Sequence, residues 1–362
     1  MKNILRNKMV GLFFIMAIMP IMIIQPINAQ PFGPKMPRYQ QTNLVSDIPG
    51  LAKITDANLA NPWGISHSST SPWWVSDNGQ GVATLYNGTG IPRSLIVMIP
   101  PPSGTGPSTP TGNIFNGGTD FEIASGEPAR FIFVTEDGTI SGWNPSVNPT
   151  NAILKVDHST TAVYKGVTIA ENGNDNLLYV ANFREAKVDV FDTNFKSVNL
   201  GSDAFADDQI PPGFAPFNVQ NIKGNIFVSF AKQDAQKHDD VAGRGLGFVD
   251  AFKPNGELIM RLKHGPWFNA PWAIVQAPLN FGILSNGILV GNFGSGMIAT
   301  FDPVKGNFEG FMIGDKGPVV IDGLWGLGFG NGVNAGPVNT LFFAAGINGE
   351  QNGLFGTLTS ER

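Results

Sequence analysis

Short apolar runs that end in a small residue recur along the chain. Each is followed by a polar turn and a second alternating run. Trp74-Val75-Ser76-Asp77-Asn78 matches Phe133-Val134-Thr135-Glu136-Asp137, Tyr179-Val180-Ala181-Asn182-Phe183 and Phe227-Val228-Ser229-Phe230-Ala231. Two more copies are Leu289-Val290-Gly291-Asn292-Phe293 and Phe343-Ala344-Ala345-Gly346-Ile347. Alternation at a period of two marks a strand with one face in a core. A leading strand precedes each copy, seen in Pro62-Trp63-Gly64-Ile65, Pro271-Trp272-Ala273-Ile274 and Leu324-Trp325-Gly326-Leu327. The leading strands are placed near residues 62, 119, 165, 215, 270 and 322. A repeat of about 50 residues with about four strands reads as a β-propeller blade. The chain is therefore expected to be all-β, a six-bladed propeller. No Trp-Asp dipeptide occurs, which argues against WD-type repeats.

The last repeat supplies only three strands, near 322–329, 339–345 and 353–358, before the chain stops. A bare sheet edge is a liability. The strand-like segment 39–46 (YQQTNLVS) is left over ahead of the first repeat and is expected to complete the sixth blade.

Composition supports this reading. Gly 45 and Pro 27 among 362 residues, with only 14% charged, favour short strands and many turns over helical bundles. The 42% hydrophobic content is enough for a large core. With no Cys, disulfides, thiolate metal sites and a cysteine nucleophile are excluded.

The N-terminus has the layout of a secretory signal peptide. Lys2, Arg6 and Lys8 precede an apolar run from Met9 to Ile24, and Ile27-Asn28-Ala29 offers a cleavage site before Gln30. The apolar run is short for a membrane span and contains Pro20. Residues 1–29 are thus read as a leader, 30–38 as a flexible lead-in and 39–362 as the propeller. The mature protein is expected to be secreted or periplasmic, monomeric and without a membrane span. Loss of the three leader cations takes the net charge from −5 to about −8, which disfavours nucleic-acid binding.

Three groups of residues are candidates for chemistry. Asn61, Asp120, Lys165, Asn218, Asn269 and Asp322 enter the leading strands, and Asp77, Glu136, Asn182 and Asn292 follow the second strands. This set predicts an oxygen-rich collar around one mouth of the channel, of the kind that suits Ca²⁺. Asn and Asp also favour turns in their own right. The second group is the polar stretch 232–244, in the loop between the second and third strands of blade four. It offers Lys232, Gln233, Asp234, Lys237, Asp240 and Arg244 for binding, and His238 beside Asp239 as a general base. The third is Trp63, Trp272 and Trp325 at matching positions, either stacking on a flat ligand or filling the core between blades. Residues 100–118 read as a flexible loop entering blade two. No P-loop, no Gly-x-Ser-x-Gly elbow and no zinc-type His spacing is present.

Asn61-Pro62-Trp63-Gly64-Ile65, residues 232–243, Ile321-Asp322-Gly323-Leu324-Trp325-Gly326 and Gly353-Leu354-Phe355-Gly356 resemble an uncharacterised family of exported bacterial β-propellers. The resemblance covers residues 43–358. It implies the fold and export but no established reaction. Members often carry a C-terminal sorting anchor, which is not seen here. They also place an acidic residue before His-Gly, where this chain has Glu350-Gln351-Asn352-Gly353. A looser similarity to NHL-type and gluconolactonase-like propellers implies a divalent cation in the channel, with Asp120, Glu122, Asn218 and Asp322 as its ligands and calcium as the cofactor. The leading expectation is a ligand-binding or protein-interaction module that takes a small molecule, glycan or protein at the mouth. The alternatives are a calcium-dependent lactonase or esterase and a structural envelope or matrix component.

Overall fold

The computed structural model describes residues 38–361. The signal-peptide reading and nearly all of the lead-in fall outside them. The described residues form six four-stranded antiparallel blades. Their inner strands are Pro62–Ser66, Pro110–Phe115, Tyr164–Asn172, Phe214–Ile222, Pro271–Gln276 and Leu324–Phe329. Each inner strand lies against those of the blades before and after it, and Leu324–Phe329 lies against Pro62–Ser66 to close the circle.

Closure is made by the two ends of the chain. Tyr39–Ser46 pairs antiparallel with Asn352–Ser360, from Tyr39 opposite Ser360 to Ser46 opposite Leu354. The sixth blade runs Leu324–Phe329, Leu341–Gly346, Asn352–Ser360, Tyr39–Ser46 from the axis outward, and Ile54–Thr55 adds a short parallel strand. Tyr39, Leu44 and Val45 are buried, and the Tyr39 hydroxyl donates to Phe281 C=O at 2.7 Å. The leftover strand therefore does what the bare edge demanded of it.

Blade two differs from the sequence expectation. Its inner strand is Pro110–Phe115 and does not begin near 119. The stretch read as a flexible loop thus contains a strand. Its pattern is faint because PTGNIF has little apolar alternation. Its small residues are needed for close approach: a Cβ on Gly64 would lie 2.6 Å from Thr111 C=O, and one on Gly112 would lie 2.9 Å from Gly166 Cα. Residues near 119 form instead the small hairpin Glu122–Ala124 and Glu127–Pro128, on the far side of the blade.

Each inner strand is irregular near its start. Register shifts fall between Pro62 and Ile65, Tyr164 and Gly166, Pro216 and Asn218, Pro271 and Ala273, and Leu324 and Leu327. Bulges of this kind re-aim side chains. They bring Trp63, Lys165, Phe217, Trp272 and Trp325 to equivalent places in the circle.

Candidate functional site

These equivalent side chains form one layer across the channel. Trp63 stacks on Trp325 with centroids 3.5 Å apart, and Phe293 stacks on Trp325 at 4.0 Å. Trp272 meets both indoles edge-on at 6.1 and 5.8 Å, and Phe217 meets Trp325 at 5.7 Å. The three Trp side chains are at most 4% exposed. Their ring faces are occupied by one another, so they floor the mouth and offer no platform to a flat ligand. Beneath them the channel holds a cavity of only about 30 Å³, room for a water molecule or two.

In blade three a lysine stands where four of the other five blades place an aromatic ring and blade two places Thr111. Lys165 has a side chain 1% exposed, and its Nζ lies 5.0 Å from the Trp63 ring. Trp272 Nε1 donates to the Lys165 carbonyl at 3.1 Å. A buried ammonium needs partners. Lys165 Nζ pairs with Glu136 Oε1 and, at 3.2 Å, with Asp239 Oδ1. Burial alone would lower the Lys165 pKa, but the Glu136 and Asp239 charges outweigh it and raise it.

Glu136 comes from the turn between the second and third strands of blade two. Its Oε2 accepts from Asn78 Nδ2 at 2.8 Å. Asn61 Nδ2 donates to Asn78 Oδ1 at 3.3 Å and to Glu350 Oε1 at 3.2 Å. A hydrogen-bonded arc thus runs from Lys165 through Glu136, Asn78 and Asn61 to Glu350. Asn61 (φ 46°) and Glu350 (φ 65°) both sit in the left-handed region, where tight turns aim them at the mouth.

The loop 233–247 supplies the other side. Asp234 Oδ1 accepts from the N–H groups of His238 at 2.8 Å and Asp239 at 3.3 Å, and Gln233 pairs with Asp240. This folds the loop back over the mouth, an Asx-type use of Asp234. His238 Nδ1 meets Asp239 Oδ1 at 3.0 Å. Burial raises the Asp239 pKa, but Lys165 and His238 turn the net shift downward. Asp240 has no such relief: burial pushes its carboxyl up to about 7, with Lys165 only partly opposing and Glu350 adding to the rise. Glu350 is also raised, first by burial and then, against the Asn61 hydrogen bond, by the Glu136 charge. Asp240 Oδ2, Asn61 Oδ1 and the indole N–H groups of Trp63 and Trp325 are buried with no hydrogen-bond partner among the described residues. Asn61 Oδ1 and Trp325 Nε1 both border the space beside Gly346, where a Cβ would meet them.

The other predicted residues are dispersed. Lys232, Lys237 and Arg244 are exposed, Lys237 at the loop tip with φ 53°. Arg244 borders a separate apolar cleft of about 300 Å³ with Trp267 and Phe311. The four expected metal ligands do not converge. Asp120 and Glu122 lie in the loop after the inner strand of blade two, on the opposite face of the circle, where Asp120 accepts from Asn176 at 2.7 Å and Glu122 from the Gly126 N–H at 3.1 Å. Asn218 is buried in the channel wall, donating to Trp272 C=O at 2.9 Å, and Asp322 accepts from the Asn348 N–H at 2.9 Å. The structure instead brings together Glu136, His238 and Asp239, whose ligand atoms lie within 4.8 Å of one another. The sequence places Lys165 in the collar of the mouth but assigns it no binding or catalytic role, and it marks Glu350 only as part of a segment without the family's His-Gly pair. Laying the inner strands side by side exposes Lys165 as the one cation in a layer whose other members are four aromatic rings and Thr111.

Two uncharacterised proteins of Acanthamoeba polyphaga mimivirus are each 31% identical to this chain. One matches over 354 residues, 94% of this chain and 85% of its own length. The other matches over 352 residues, 94% of this chain and 91% of its own length. The chain belongs to the family of these proteins. The relatives are viral, and they lend no support to the bacterial origin that the sequence resemblance implied. No family model matches. Among solved structures, a streptogramin B lyase is 12% identical, with 90% of this chain and 98% of that chain covered at a TM-score of 0.51. Virginiamycin B lyase from Staphylococcus aureus is 13% identical, with 89% and 99% covered at 0.50. At these identities the likeness concerns the β-propeller fold alone. Among the described residues, no helix is long and apolar enough to cross a membrane.

Proposed function

We propose that this propeller is a binding module whose channel mouth receives a small cationic group: a ligand's ammonium or a divalent ion. One observation carries the reading. Four carboxyl groups, Glu136, Asp239, Asp240 and Glu350, surround a single buried ammonium, Lys165. Charges of one sign gathered in a partly desolvated site raise one another's proton affinity, and a cation relieves that cost. The unpartnered Asp240 and Asn61 oxygens are acceptors for it. The full chain is screened by thermal shift against Ca²⁺, Mn²⁺, Zn²⁺, methylammonium and spermidine at pH 8, beside Glu136→Gln and Asp239→Asn. Stabilisation by at least one cation that both variants lose supports the reading, and no stabilisation by any refutes it.

The grouping of Glu136, His238 and Asp239 favours a second reading, a metal-dependent hydrolase of the lactonase or esterase kind. A metal held there would polarise an ester carbonyl, with Asp240 nearby to exchange a proton near neutral pH. Hydrolysis of a lactone and aryl-ester panel by metal-loaded protein, lost in His238→Ala, distinguishes it from binding alone. Export is carried by the leader pattern of residues 1–29. Sequencing the N-terminus of protein recovered from outside the expressing cell tests it, with Gln30 as the expected first residue.

A further inference from the structure

Blade three ends early on its outer side. Its outer strand, Ser197–Val198, pairs only with Val190 and Phe191 of the third strand, Lys187–Phe191. The following chain, 199–205, turns away instead of continuing the pairing. The first half of the third strand is left without a neighbour on that edge. Asp192 N–H donates to Lys196 C=O across this edge at 2.8 Å. Strand alternation puts the N–H and C=O of Val188 on the same edge. Neither has a backbone partner among the described residues. A cavity of about 570 Å³ opens beside them, lined by His158, Lys187, Val188, Asp189, Leu200 and Phe205 among others. That volume is within the range of ligand sites.

The cavity wall holds an oriented imidazole. The buried Tyr164 hydroxyl donates to Asp189 Oδ2 at 3.1 Å and lies 2.8 Å from His158 Nδ1. Asp189 also pairs with Lys187 Nζ at 3.2 Å and accepts from Asn182 Nδ2 at 2.8 Å. The tyrosine O–H is spent on Asp189, so its oxygen is left to accept from His158 Nδ1–H. His158 Nε2 is left as an acceptor with no partner among the described residues. Glu185 also lines the cavity, so its two carboxylates outnumber Lys187.

We propose that this groove is a second binding site, independent of the channel mouth, that takes an extended peptide of neutral to basic character as an added strand beside Val188. The main chain of the peptide would pair with the Val188 N–H and C=O, the mode of β-augmentation. An apolar side chain rests on Val188, Leu200 and Phe205. A Lys, Ser or Thr side chain donates to His158 Nε2. The excess of carboxylate sets the preference for a basic peptide.

The test is fluorescence polarisation on the full chain. The probes are a library of labelled, end-capped hexapeptides of alternating β-branched and Lys, Ser or Glu residues, and copies of the tightest binder N-methylated at its central amides. Expected are saturable binding, at least tenfold weaker binding when Lys becomes Glu, and at least tenfold loss on N-methylation. Val188→Pro removes the free N–H while leaving the pairing with the second strand through Lys187 and Asp189, so it should cost a similar factor. If Val188→Pro does not fold, the N-methylated peptides on the unaltered protein decide. Failure of the whole library to bind, or binding that survives both N-methylation and Val188→Pro, overturns the proposal.

Discussion

Asp240→Asn probes the electrostatics of the mouth without removing bulk. Burial pushes the Asp240 pKa from 3.8 to about 7. The folded protein therefore holds this proton more tightly than the unfolded chain does. Its contribution to stability is complete below pH 4, declines between pH 4 and 7 as the unfolded chain ionises first, and is lost above 7. A tenfold change in proton affinity is worth about 1.4 kcal/mol, so the full span is roughly 4 kcal/mol, and movement of the loop trims it to about 2–4. Asparagine cannot ionise and escapes this loss. It does leave an amide where an oxygen already lacks a partner, but that cost is the same at every pH. The decisive quantity is the difference in Tm between variant and parent, measured by scanning calorimetry at pH 5 and pH 8. Between pH 5 and the folded pKa about two-thirds of that span is lost, so for a chain of this size the difference should move in favour of the variant by about 2–4 °C from the lower to the higher pH. A difference that stays constant, or moves toward the parent, would show that Asp240 is ionised and satisfied in the folded state.

Lys165→Met leaves Glu136 and Asp239 without their buried counter-charge, and chemical denaturation at pH 7 should show a loss of about 3–5 kcal/mol; a loss below 1 kcal/mol would mean that solvent already pairs the carboxylates. Deleting residues 38–46 exposes the Asn352–Ser360 edge and should abolish cooperative unfolding of the whole protein, whereas an unchanged calorimetric transition would show that the circle closes without that strand. Gly166→Ala drives a Cβ into the Asn218 amide, and a fall in Tm of several degrees is expected; an unchanged Tm would show that the inner strands can separate.

The architecture is legible because each blade writes its second and third strands as a local alternation, and because a blade with three strands must find a fourth. The inner strands are less legible. They face a crowded axis, where glycine and polar residues replace the apolar signal, as in Pro110–Phe115. The displaced strand has a chemical consequence. A strand starting near 119 would put Asp120 in the loop entering blade two, and so at the mouth. With the strand at 110, the same residue lies after it, on the other face. The loop 232–244 is recognisable by its charge density, and it does deliver His238, Asp239 and Asp240 to the mouth. Lys165 is different: the chain marks it only as one residue among six that enter the leading strands, and its role as buried counter-charge appears only when the strands are compared at one depth in the channel. Glu350 stands in a segment that lacks the histidine of the resembled family, yet its backbone turn aims it at Asn61.

The most direct measurement of the mouth is isothermal titration of the full chain with the best cation from the thermal-shift screen, at pH 6 and pH 8, in buffers of differing ionisation heat. A cation entering beside Asp240 must displace its proton at the lower pH. Affinity should rise by up to about tenfold between the two values, with proton release at pH 6 that disappears in Asp240→Asn. Binding with the same affinity and no proton release at both pH values would place the cation elsewhere and contradict the account.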